Sequence, residues 1–199
     1  MKQIEIFPQI ICSFDFGSHF SETEKKFFAS FGKNVTNELG GNHLSYEKNI
    51  LNYSEIRHIK NFIDSCLQQY VSNIIQPKND ISLYVTESWL SFTNKNERHH
   101  GHYHYNSLIS GVFYINTVKN DTITFIDDKK RMLVFDGYEN RYNCQRYNLP
   151  VNTGQLILFP SELEHETNEH HEDKTRISLA FNTFVKGNIS NEFTWSLNI

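Results

Sequence analysis

The chain has 199 residues and a formal charge of −4 at neutral pH, with 16 Phe and 10 Tyr, enough for one domain with an aromatic-rich core. The acidic balance argues against a general nucleic-acid binder, and the basic cluster Lys129-Lys130-Arg131 reads as a solvated turn. Cys12, Cys66 and Cys144 show no CxxC spacing, no apolar stretch approaches a membrane span, and the N-terminus lacks a signal-peptide shape, so a soluble cytoplasmic protein is expected.

A strand is predicted over residues 4–16. Two helical patterns follow. The first opens on Ser21-Glu22-Thr23-Glu24, a capping-box spacing, carries Phe28, Phe31, Val35 and Leu39 on one face, and stops at Gly40-Gly41. The second, over residues 52–76, repeats apolar residues from Ile56 to Ile75 with a 3.6-residue period and ends at Pro77. From Ile81 the signal changes to strands: 81–85, 88–93, 108–116, 122–126, 131–135, 155–159 and 176–185. Short strands with polar turns and no intervening helices read as an antiparallel sandwich or barrel. Residues 94–101 and 137–150 read as loops, the second a candidate lid. The expected organisation is one domain over residues 1–199, with a strand and helices in 1–80 and a β-rich body in 81–187.

Histidines stand out in that body. His102 and His104 flank Tyr103 just before one apolar run, and His165 closes another. Residues i and i+2 of a strand share a face, so His102 and His104 can point at one ion, and neutral imidazole is the commonest metal ligand. His100-Gly101-His102 offers a rival register, but His104 lies nearer the following strand. His99 and His100 read as solvent-facing residues or outer donors, and His170 and His171 as part of an exposed acidic loop. Unperturbed imidazoles would make metal affinity fall below about pH 6.5.

The segments HYHYNSLISGVFYIN, GQLILFPSELEH and RISLAFN resemble three signature blocks of a small branch of the 2-oxoglutarate/Fe(II)-dependent oxygenases, over about residues 80–187. The resemblance implies an α+β fold: a double-stranded β-helix, the cupin-like jelly-roll, with the N-terminal helices packed on one sheet. It implies Fe(II) as metal, 2-oxoglutarate as co-substrate, O2, and an unidentified acceptor hydroxylated as 2-oxoglutarate is decarboxylated to succinate. His102 and His165 match the metal-binding histidines, and Arg176 matches the residue that grips the distal carboxylate of 2-oxoglutarate. Tyr114 and Ser178 match further residues beside that carboxylate. The chain departs from most of the superfamily in placing His104 where an Asp or Glu is usual. Either His104 is a ligand, or it lies outside the ligand set and water or an acidic residue completes the site.

Two other readings stay open. A cupin-type dioxygenase with three histidines would need no 2-oxoglutarate, but residues 107–110 are Ser-Leu-Ile-Ser where a cupin glutamate is expected. A non-catalytic jelly-roll module would keep the metal alone. Trp89, Phe113, Phe159 and Phe181 are candidate pocket walls, and Arg176→Met is expected to leave the fold intact.

Overall fold

A computed structural model of the chain describes residues 1–189 apart from 3, 5, 33, 34 and 128–135, together with 197 and 199. The predicted strand at 131–135 and the basic cluster at 129–131 lie outside the described residues.

Two antiparallel sheets make up the body. Their strands are β1 (Cys12–Asp15), β2 (Val35–Thr36), β3 (His43–Leu44), β4 (Ile81–Thr93), β5 (Ile109–Asn116), β6 (Thr122–Ile126), β7 (Arg146–Pro150), β8 (Gln155–Pro160), β9 (His165–Thr167) and β10 (Arg176–Gly187). Seven form a large sheet in the order β1-β8-β5-β10-β4-β3-β2, and three form a small one in the order β7-β6-β9. This arrangement is consistent with a jelly-roll.

Alternation along the large sheet separates two environments. Leu90, Phe92, Phe113, Ile115, Leu156, Leu158, Leu179 and Phe181 face the helices, packed with Phe28, Ile59, Ile63 and Leu67. Tyr114, Ile157 and Phe159 occupy the other face, packed with Ile123 and Phe125 of the small sheet. Phe113 and Phe181 are therefore not pocket walls, because odd positions of β5 and β10 point to the helix layer. Phe159 does lie between the sheets.

The helices are shorter than their patterns suggest. Helix α1 (Glu22–Ser30) opens with the capping box, Glu24 N–H donating to Ser21 Oγ at 3.2 Å and Ser21 N–H to Glu24 Oε2 at 2.7 Å. It ends at Phe31, whose backbone is extended, and Val35 pairs with Leu44 instead of continuing the helical stripe. Leu39 is exposed. Helix α2 (Arg57–Tyr70) follows two short 3₁₀ turns, Ile50–Asn52 and Ser54–Ile56, and buries Ile59, Ile63, Cys66, Leu67 and Tyr70. A wide π turn, Val71–Ile75, closes it, and Gln76 adopts a left-handed backbone before Pro77. No helix among the described residues is long and apolar enough to cross a membrane.

Strand readings change as well, and the segments read as 81–85 and 88–93 form the one strand β4. Residues 146–150, expected as loop, pair with β6 as β7, although their side chains are mostly exposed and leave little apolar pattern to read. Residues 4 and 6–11 stay outside β1, which begins only at Cys12 where pairing with β8 starts.

Gly111 lies on the helix-facing side of β5, directly under the Phe181 ring, where a Cβ would collide with that ring. Gly111→Ala is expected to lower unfolding free energy by about 1–3 kcal/mol through overpacking, measured by urea denaturation. A variant as stable as the parent would show that Phe181 can move aside.

Candidate metal centre

His102, His104 and His165 each bring one nitrogen into a group whose members lie within 4.8 Å of one another. Backbone pairing holds them there. His102 N–H donates to His165 O at 3.0 Å and His165 N–H returns to His102 O at 2.9 Å, while His104 N–H donates to Ser161 O at 2.9 Å. The connection before β5 is thus zipped to the one between β8 and β9.

Hydrogen bonds on the far side of each ring set its tautomer. His102 Nδ1 meets His100 O at 2.8 Å and His165 Nδ1 meets Leu163 O at 3.0 Å. Carbonyls only accept, so both Nδ1 atoms carry the proton and both Nε2 atoms keep a lone pair. His104 Nδ1 meets the Asn182 side-chain carbonyl, with Ser110 Oγ at 3.2 Å, and is fixed the same way.

Burial disfavours the charged rings. It pulls His102 down to about 4, with His104 and His100 adding repulsion. It also lowers His104, against an opposing pull from Asn182 and Glu87, and holds His165 well below the ordinary value. The rings are neutral and ready to ligate. The expected loss of metal affinity below pH 6.5 is therefore revised to a much more acidic range, because burial already excludes the competing proton.

The other histidines separate clearly. His100 Nδ1 accepts from Asn37 Nδ2 at 2.9 Å, and its carbonyl meets His102 Nδ1. His99 lines the pocket and stacks on His102, centroids 4.2 Å apart. His170, expected in an exposed loop, is buried and donates from Nε2 to Thr93 O at 3.1 Å, tying its loop to the end of β4. His171 is exposed.

Trp89, Val112, Tyr114, Ile123, Arg176, Ser178 and Ala180 line the same pocket as the three histidines. Arg176 is 3% exposed and paired to Asp121, Nε donating to Oδ2 at 2.8 Å and Nη2 contacting Oδ1. Nη1 and the Tyr114 hydroxyl are buried without a partner among the described residues. Burial pushes the Tyr114 phenol up, so it stays a neutral donor. Two idle donors in one dry pocket fit an incoming carboxylate.

Asp121, Asn182 and Glu87 also belong to this constellation, through contacts to Arg176, His104 and Asn182, and the motifs do not single them out. Asn182 ends the segment RISLAFN, and its place in that block was the available signal. Asp121 carried none, since its partner is remote in sequence.

The neutral cluster makes stability depend on pH. Folding lowers the imidazole pKa values, so the unfolded chain binds more protons as pH falls below about 6.5. Stability of the metal-free protein is therefore full above that pH and is lost as pH falls towards 4. The loss attributable to His102 alone is on the order of 3 kcal/mol. Urea midpoints across this range test it, and His102→Gln should flatten the fall.

Residues 87–182 match the model of a family described as "Putative 2OG-Fe(II) oxygenase". No curated protein matches the chain. Among solved structures, a 2OG-Fe(II) oxygenase family oxidoreductase from Burkholderia pseudomallei superposes with TM-score 0.58 at 11% identity, covering 82% of this chain and 80% of that one. HygX from Streptomyces hygroscopicus, solved with nickel, 2-oxoglutarate and hygromycin B, gives 0.57 at 12% identity, covering 88% and 82%. A Pseudomonas putida prolyl-4-hydroxylase gives 0.52 at 12%, covering 88% and 94%. These likenesses show a shared fold, and residues 87–182 carry the match to the 2-oxoglutarate/Fe(II) oxygenase family.

Proposed function

We propose that the chain is a single double-stranded β-helix domain that hydroxylates a C–H bond of its acceptor, with His102, His104 and His165 as the iron ligands. The observation that carries this reading is one pocket holding three convergent Nε2 lone pairs together with the idle donors of Arg176 and Tyr114. When bound, Fe(II) and 2-oxoglutarate supply O2 activation: one oxygen atom enters the acceptor as R–OH, and the other leaves in succinate as CO2 is released.

The chain's own residues bind and orient. Asp121 occupies the Nε/Nη2 side of the Arg176 guanidinium and leaves the Nη1 side for the distal carboxylate of 2-oxoglutarate. Tyr114 adds a neutral hydroxyl, and Ser178, paired with Tyr114 across β5 and β10, lines the wall between them. Trp89, Val112 and Ile123 exclude water around the reacting centre. Arg176 also argues against a plain cupin, which has no use for a buried guanidinium beside its metal.

Asp121 changes what Arg176→Met would do. That substitution alone strands a buried carboxylate, so the expectation of an intact fold passes to Arg176→Met combined with Asp121→Asn. The double variant should keep Fe(II) binding and lose 2-oxoglutarate affinity by tenfold or more, in anaerobic calorimetry.

Tyr114→Phe gives the cleaner test, because the hydroxyl has no partner to lose. The ligand-free variant should match or exceed the parent in stability by up to about 1 kcal/mol, since a buried unpaired hydroxyl is removed. Its 2-oxoglutarate affinity should fall by about tenfold, the lower end for a hydrogen bond to a charged group. Unchanged affinity would remove Tyr114 from the carboxylate site.

A further inference from the structure

The three sequence blocks leave several polar residues that neither ligation nor carboxylate binding uses, and the fold gathers them behind His104. Asn182 Oδ1 meets His104 Nδ1, and Ser110 Oγ lies 2.9 Å from the same Oδ1. Ser110 also meets Ser161 at 2.9 Å, Ser161 donates to Ser107 at 2.7 Å, and Ser107 donates to Thr183 O at 3.1 Å. On the other side of the amide, Asn182 Nδ2 donates to Glu87 Oε1 at 2.8 Å.

Only one assignment of the Glu87–Asn182–His104 part is chemically consistent. A carboxylate cannot donate, so Glu87 must face the NH2 of Asn182. That turns the amide carbonyl towards His104, which requires the proton on Nδ1 and leaves the Nε2 lone pair facing the site. The carboxylate also makes the carbonyl a stronger acceptor, because hydrogen bonds in series polarise one another. A more polarised Nδ1–H makes Nε2 a more basic ligand.

Three neutral imidazoles leave the full dipositive charge on an Fe(II) ion. We propose that Glu87, acting through the Asn182 amide, supplies the metal centre with the negative charge its ligand set lacks, and thereby sets iron affinity and reduction potential. Glu87 and Asn182 are positioning residues, and the inference rests on the reading of His102, His104 and His165 as ligands.

Exchanging the two groups tests it. Asn182→Asp with Glu87→Gln keeps each hydrogen bond, since the new amide at 87 donates to the new carboxylate at 182, and moves the charge next to His104. Glu87→Gln alone removes the charge. Fe(II) binding to the metal-free protein under anaerobic conditions and the Fe(III)/Fe(II) potential of the loaded protein are the readouts. Glu87→Gln should weaken Fe(II) binding by about tenfold, as for loss of an outer partner of a ligating histidine, and raise the potential. The exchange variant should bind at least as tightly as wild type, with a potential below it.

Equal affinities and potentials in all three proteins would overturn the inference, and so would an exchange variant that stays as weak as Glu87→Gln. His165→Ala separates the two levels. If it holds Fe(II) as tightly as wild type, the ligand assignment itself is wrong. If it loses iron while the Glu87 and Asn182 variants change nothing, the ligands stand and only the charge relay falls.

Discussion

The pleat of the large sheet is the constraint on which everything else depends. Where they flank the pocket, its central strands β4, β5, β8 and β10 are largely buried on both faces, yet the faces have different tasks. One is apolar and covered by α1 and α2; the other carries Trp89, Ser91, Thr93, Tyr114, Arg176, Ser178 and Asn182 towards the small sheet. A slip of one residue in the pairing of β10 would exchange its two sets of side chains and turn Arg176 towards the helices. The helices therefore protect the site indirectly: by covering one face they fix which side chains occupy the other.

A single irregularity makes the division work in β4. Asn182 pairs with Glu87 but Thr183 pairs with Val85, so Thr86 is an extra residue that bulges out. Below the bulge Leu83 and Val85 pack towards the helices; above it Leu90 and Phe92 do, while Trp89 and Ser91 line the pocket and Glu87 meets Asn182. The bulge changes the parity of the strand and delivers Glu87 opposite Asn182. Bulges re-aim side chains in this way beside many active sites.

This explains what the sequence made legible and what it hid. The HxH spacing, His165 and Arg176 could be read because each depends on a short local relation or on a recognisable block. The change of parity in β4 reads as two strands, because alternation from Ile81 to Val85 fails to continue through Leu90 and Phe92. The period alone extends α1 too far, since Val35 and Leu39 fit it, and only the extended backbone at Phe31 and the pairing of Val35 with Leu44 override that pattern. β7 was missed because a strand with exposed side chains on an outer edge has little apolar alternation to show. Asp121 was invisible for a different reason. An ion pair between distant residues leaves no periodicity, and only the fold brings β6 to the end of β10.

The pocket thus opposes two electrostatic ends. At one, burial keeps three imidazoles neutral, and the Glu87 carboxylate lies one amide removed from His104. At the other, Arg176 and Asp121 form a buried pair whose charges nearly cancel but whose donors are not exhausted. Asp121 keeps the guanidinium in place before any ligand arrives, so the desolvation of Arg176 is met during folding and not during binding. A carboxylate entering there completes the hydrogen bonds of Arg176 and Tyr114 without displacing Asp121, provided it takes the Nη1 side. A dicarboxylate keto acid suits such a pocket because it offers a carboxylate to each end at once. The histidine end would need negative charge once it held a dipositive metal, and the arginine end has an unpaired buried donor among the described residues.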